Sequence, residues 1–95
     1  MIVRETTVIN PSGLHARPAA NFVSAAGKYA SAIRIRNLTA DSRPVNAKSM
    51  LMLLSLSLVT GTRIELSADG ADEREAAEAL IALIDSGCGE AASQG

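Results

Sequence analysis

The chain has 95 residues, a formal net charge of −1 and 47% apolar content, much of it alanine. That length suits one small domain, which buries about two-thirds of the surface its unfolded chain exposes. No basic run interleaved with aromatics marks a nucleic-acid partner, and no apolar stretch reaches the roughly 20 residues of a membrane span. Arg4 and Glu5 follow the first three residues at once, which argues against a secretory signal. The single Cys88 excludes an internal disulfide framework and suits a reducing cytoplasm. One histidine and one cysteine are too few for a structural zinc site, so no metal and no cofactor are expected. Phe22 and Tyr29 are the only aromatics, so Leu, Ile, Val and Met must fill the core, with Ala letting elements approach closely.

Residues 2–9 are rich in β-branched side chains and predict a first strand, with Val3, Glu5 and Thr7 on one face and Ile2, Thr6 and Val8 on the other. Asn10-Pro11-Ser12-Gly13 has the composition of a type I turn, Pro second and Gly fourth. Ala19, Phe22, Val23 and Ala26 then share one face of a helix running to about Lys28, and Pro18 is tolerated in its first turn. Ala32-Ile33-Arg34-Ile35-Arg36 alternates apolar and basic residues, the pattern of a strand with one wet face. After a polar connection from Asn37 to Ser42, Arg43-Pro44-Val45-Asn46 reads as a short strand that Pro44 confines to a sheet edge.

Residues 47–58 are long and rich in Leu and Met, which predicts a second helix. Its apolar residues occupy more than one face, and so small a domain cannot surround it. One apolar face should stay accessible, unless the helix is buried outright. Gly61 to Ser67 predicts a turn and a fourth strand with Ile64 and Leu66 inward. Asp69-Gly70-Ala71-Asp72 leads into a last helix, with Asp72, Glu73 and Glu75 near its positive end, Ala76, Ala77, Leu80, Leu83 and Ile84 as its buried stripe, and Gly87 as its stop. Residues 1–88 form the domain, and the small, polar residues 89–95 read as a disordered tail.

Gly13-Leu14-His15-Ala16-Arg17-Pro18-Ala19 holds the chain's one histidine, at or beside a helix N-terminus and two residues from a guanidinium. Such a histidine often does no more than cap the helix or pack at the turn. The chemistry allows more. An imidazole with an ordinary pKa of about 6.5 is largely uncharged near neutrality, and the positive helix end disfavours its protonation. The neutral ring is a nitrogen nucleophile. A phosphoryl group on it would carry about −1.5 to −2 charges, which the amides of Ala16 and Arg17 and the Arg17 guanidinium could stabilise.

The same heptapeptide closely resembles the active-site signature of the histidine-containing phosphocarrier (HPr) family of the bacterial phosphotransferase system. The resemblance runs from about Val3 to Ile84 and includes Asn46-Ala47-Lys48-Ser49, then Gly61-Thr62 through Ser67-Ala68-Asp69-Gly70-Ala71-Asp72-Glu73. It implies an α+β fold, an HPr-like open-faced β-sandwich of order βαββαβα. Its antiparallel sheet has strand order 1-4-2-3, and three helices cover one face. It also implies a cytoplasmic, monomeric phosphocarrier that is not an enzyme. Nδ1 of His15 would take a phosphoryl group from phosphorylated Enzyme I and pass it to an Enzyme II A domain, with Arg17 stabilising the charge.

By the same resemblance Ser49 is a site of regulatory phosphorylation by an HPr kinase/phosphorylase, and Ala20, Ser24, Met50, Leu51 and Leu54 belong to the partner-docking patch. Ser49 is also a favoured N-cap for the second helix. Two residues depart from the family pattern: Met52 stands where relatives often carry Gly or a polar residue, and Ser57 replaces a Gly common at the helix end. Two other readings use the same residues: a regulatory paralogue in a nitrogen-type branch, and a binding module that works only through residues 50–54 without carrying phosphate.

Overall fold

The computed structural model describes residues 1–11, 13–14 and 16–88. Its elements are β1 (Ile2–Thr7), α1 (Ala16–Ala26), β2 (Ala32–Asn37), β3 (Val45–Asn46), α2 (Met50–Leu54), β4 (Arg63–Asp69) and α3 (Glu73–Asp85). The four strands form one antiparallel sheet in the order β1-β4-β2-β3. The expected βαββαβα architecture is present, and the helices cover one face of the sheet. The disordered tail expected for 89–95 lies outside the described residues.

Period-two patterning sets the register. Ile33 pairs with Ala68, Ile35 with Leu66 and Asn37 with Ile64, so the apolar members of both central strands face the helices. Ile33, Ile35, Ile64, Leu66 and Ala68 are all buried beneath Phe22, Leu53, Leu80 and Ile84. Truncating one of these large side chains to Ala is expected to cost about 2–5 kcal/mol. On the open face the register sets Glu5 directly across from Glu65, a repulsive pairing. Each carboxylate is relieved by its own arginine: Arg63 Nη2 lies 3.0 Å from Glu5, and Arg36 Nε lies 3.1 Å from Glu65.

Asn37 does what its sequence context hides. It is 5% exposed at the end of β2; its carboxamide oxygen accepts the Ala40 amide, and its Nδ2 donates to the Leu56 carbonyl, 3.0 Å away. One buried polar residue thus closes the 37–42 connection and ties it to the exit of α2. Pro44 falls outside β3, which is a two-residue edge strand, in keeping with the missing donor.

The helix predicted over 47–58 is far shorter. Only Met50–Leu54 is α-helical. Ser49 caps it as expected, its hydroxyl accepting the Met52 amide at 3.2 Å. Serines also end it. The Ser55 hydroxyl donates to the Met52 carbonyl, the Leu56 and Ser57 amides reach back only three residues, and Ser57 itself has a φ of +53°. Leu56 and Leu58, read as helical, are core anchors in the irregular segment that follows.

At α3, Asp72 occupies the N-cap without capping its own helix. Its carboxylate instead accepts the Ala30 and Ser31 amides, each at 2.9 Å, and the Ser31 hydroxyl. The Ser31 hydroxyl first, then the Ala30 amide, hold its pKa below the ordinary carboxylate value. Glu73 reaches back to the Gly70 amide at 3.1 Å and serves the helix start instead. The buried stripe is Ala76, Ala77, Leu80 and Ile84; Leu83, expected within it, is only half-buried, and Cys88 is buried in the core. Gly87, with φ +88°, stops the helix. Its amide bonds to Ile84 and the Cys88 amide to Leu83, the Schellman pattern.

The left-handed conformation of Ser57 gives a direct test. A β-carbon there costs about 1–2 kcal/mol, partly offset because glycine would add about 0.4–1 kcal/mol of unfolded-state entropy. Ser57→Gly is therefore expected to stabilise the fold and to raise the thermal midpoint by a few degrees, measured by circular dichroism; an unchanged or lower midpoint contradicts it.

Candidate functional site

Asn10, 2% exposed, opens the turn before the candidate site; its carbonyl accepts the Gly13 amide at 2.9 Å, the one-to-four bond expected of a turn here. The Thr60 hydroxyl also donates to that carbonyl and to the Pro11 carbonyl, 2.9 Å away. Gly13 adopts φ +76°, and a β-carbon there would fall on the Leu58 carbonyl oxygen and 2.9 Å from Val59 Cα. Only glycine fits. The next residue, Leu14, is buried and donates its amide to that same Leu58 carbonyl at 2.7 Å.

His15, with Ser12, lies outside the described residues. The residues after it are described. Ala16 is exposed with φ +54°, a left-handed conformation that a side chain adopts only under constraint from its surroundings. The amides of Ala16 and Arg17 begin α1 and have no intrahelical acceptors, while Pro18 has no amide to satisfy and is buried. Arg17 is exposed and makes no ion pair or hydrogen bond among the described residues. Among the described residues, two amides without intrahelical acceptors and a guanidinium without a partner therefore stand at a helix N-terminus next in sequence to His15. Chemically, that arrangement can hold a dianion.

Arg17, Ala20 and Ser24 recur at helical spacing and are all exposed, so they form one solvent-facing stripe on α1. α1 packs against α2, on which Leu51 is 77%, Met52 40% and Leu54 42% exposed. The face expected to stay accessible is accessible. Met50 differs from the rest: it is half-buried and packs on the core beside the fully buried Leu53. Lys48, in the second signature, donates Nζ to the Tyr29 carbonyl at 2.7 Å, and Asn46 Oδ1 accepts the Lys48 amide at 2.9 Å. Among the described residues no group of three His, Cys, Asp or Glu gathers to hold a metal ion.

Sequence reasoning missed Asn10, Asn21 and Thr60, which join the turn and α1 to segments far along the chain. Each is an ordinary polar residue in a turn or helix, and its partner is a backbone carbonyl, so neither spacing nor residue type signals the bond.

The close approach at Gly13 predicts a cost for any side chain. Gly13→Ala must shift the 58–59 backbone as well as hold a β-carbon at positive φ, so it is expected to lose more stability in urea unfolding than Gly61→Ala, which meets nothing within 4 Å and carries only the cost of about 1–2 kcal/mol for its left-handed φ. Equal losses at the two positions would show that φ strain, and not the approach, decides.

The family model described as "PTS HPr component phosphorylation site" matches residues 2–86. A phosphocarrier protein HPr of Cupriavidus necator is 40% identical over 90 residues, covering 95% of this chain and 98% of that protein. An HPr-like protein Crh of Halalkalibacterium halodurans is 45% identical over 85 residues, covering 90% and 98%. By contrast, the chain spans only 18% of the multiphosphoryl transfer protein of Haemophilus influenzae, to which it is 40% identical. The crystal structure of HPr-C-His from Thermoanaerobacter tengcongensis superposes with a TM-score of 0.89 at 43% identity, over 97% of this chain and 100% of that one. A structure of an HPr dimer from the same organism also matches, with a TM-score of 0.73 at 46% identity over 90% and 94%, so the monomeric state implied by the resemblance gains no support. With its sheet order, its glycine-built turn and its match over residues 2–86, the chain belongs to the HPr family of the phosphotransferase system.

Proposed function

We propose that this protein carries a phosphoryl group on His15 between phosphorylated Enzyme I and an Enzyme II A domain in the cytoplasm. The imidazole Nδ1 lone pair attacks phosphorus, a P–N bond forms, and the donor's bond to phosphorus breaks with the electron pair leaving on the donor. Transfer to the A domain repeats the exchange in the other direction. The carrier turns over no substrate of its own and is a stoichiometric relay.

The observation that carries this reading is the Arg17 guanidinium, without a partner among the described residues, beside the Ala16 and Arg17 amides that have no intrahelical acceptor, at the helix start that follows His15. Those donors fit a phosphoryl dianion and need no rearrangement of ion pairs to receive it. His15→Ala is expected to take up no acid-labile, alkali-stable phosphate from Enzyme I and phosphoenolpyruvate, while the parent takes up one group per chain. Label on the variant would overturn the assignment.

The exposed Leu51 and Leu54, together with Ala20 and Ser24 on α1 and the half-buried Met50, form the surface on which Enzyme I would dock. Ser49 sits at its border as the N-cap of α2. A phosphate there would suit the helix start and put charge beside an apolar contact. Ser49→Asp and Leu51→Ser are each expected to keep the fold and to raise the apparent KM for this protein in steady-state transfer from Enzyme I. Parent-like values for both would refute docking through this surface.

The 45% identity to an HPr-like Crh supports a second reading, in which regulation through Ser49 by an HPr kinase/phosphorylase matters more than sugar transport.

A further inference from the structure

Two asparagines bracket the acceptor histidine in sequence, Asn10 before it and Asn21 after it, and both reach the same place. Asn10 Nδ2 donates to the Gly87 carbonyl at 2.7 Å and Asn21 Nδ2 to the Cys88 carbonyl at 2.8 Å. These are consecutive peptide groups just past the end of α3. They lie where Gly87 and Cys88, at φ +88° and +52°, turn the chain out of the helix, and both residues are buried. The Schellman bonds from their amides to Ile84 and Leu83 hold that reversal in place. The end of α3 is thus a rigid ledge with two carbonyls presented to the candidate site.

On the opposite side, the Asn10 carbonyl receives Gly13 and the Thr60 hydroxyl, and Leu14 is bonded to Leu58. The acceptor segment is held between two layers: the 58–60 segment binds its backbone, and the ledge of α3 binds Asn10 at one end and Asn21 at the other. Arg17, which has no partner of its own among the described residues, takes its place from the seating of α1 alone.

We infer that Asn10 and Asn21 are positioning residues for phosphoryl transfer, fastening the two flanks of the His15 segment to the C-terminal ledge of α3. The inference rests on His15 being the acceptor. In-line attack on phosphorus requires the nucleophile and the stabilising donors to hold one geometry, and a displacement of about 1 Å costs on the order of 100-fold in rate. The two amides restrain the relation between the turn that delivers His15 and the helix start that delivers Arg17. A bond of merely structural worth would be felt in unfolding alone.

The test compares Asn10→Ala, Asn21→Ala and Asn21→Gln with the parent, in phosphoryl uptake from Enzyme I, in the titration of the His15 ring followed by NMR, and in thermal unfolding. In both alanine variants kcat is expected to fall about 10-fold with the apparent KM changed less than about twofold, at temperatures where the variants are folded. The His15 titration midpoint shifts in both, and Asn21→Gln, which keeps the donor, recovers part of the rate. Parent-like kcat and an unshifted titration in both alanine variants overturn the proposal, whatever happens to the thermal midpoint. If Asn10→Ala does not fold, Asn21→Ala decides, because that side chain is largely at the surface. Labelling of His15→Ala would remove the acceptor reading itself, a result distinct from parent-like kinetics in the asparagine variants.

Discussion

The site depends on one close approach. The Leu58 carbonyl receives the Leu14 amide at 2.7 Å across a space in which Gly13 can carry no β-carbon. The bond is buried beneath Leu14, so it is worth about 0.5–1.5 kcal/mol when made and more when broken, since either partner alone would be left unsatisfied. That contact joins the turn after β1 to the segment after α2, some 44 residues later. Everything flanking His15 follows from it. Leu14 enters the core, and two residues on Ala16 opens α1 in a left-handed conformation, with first amides that have no intrahelical acceptor.

The short α2 has its reason in the same contact. A helix continuing to residue 58 would have aimed the Leu58 carbonyl along its own axis, whereas here that carbonyl receives the Leu14 amide. Serine hydroxyls and the left-handed Ser57 stop the helix early and return the chain as an irregular strip, with Leu56 and Leu58 pinned in the core. The cost at Ser57 is local strain. The result is a backbone edge against which the turn at Asn10–Gly13 lies, with the exposed Leu51, Met52 and Leu54 beside α1. Backbone strain, the exposed apolar side chains of α2 and the seat of the turn before His15 thus belong to one segment of about ten residues.

The open face of the sheet sets two like charges side by side. Glu5 and Glu65 oppose each other in register, and Arg63 and Arg36 neutralise them one by one. The exposed Arg63–Glu5 pair contributes little stability, and the Arg36–Glu65 pair is half-buried. They do keep like charges from prising β1 away from β4.

The sequence by itself determined the strands and their inward faces, since alternation of Ile33, Ile35, Ile64 and Leu66 has one solution once a face is buried. It also determined the Ser49 cap, the Gly87 stop, the turn at Asn10–Gly13 and the family, because these depend on residue type over a few adjacent positions. Tertiary structure decided the rest. α2 ends at the Ser55 hydroxyl bond and the left-handed Ser57, and its irregular exit is held by the bond from the Leu14 amide to the Leu58 carbonyl, a partner that no local window contains. The partners of Asn10, Asn21, Asn37 and Asp72 were set by chain segments brought together from 19 to 77 positions apart, through backbone groups that every residue possesses. Side-chain chemistry can announce a donor or an acceptor, but only the folded chain chooses which carbonyl it meets.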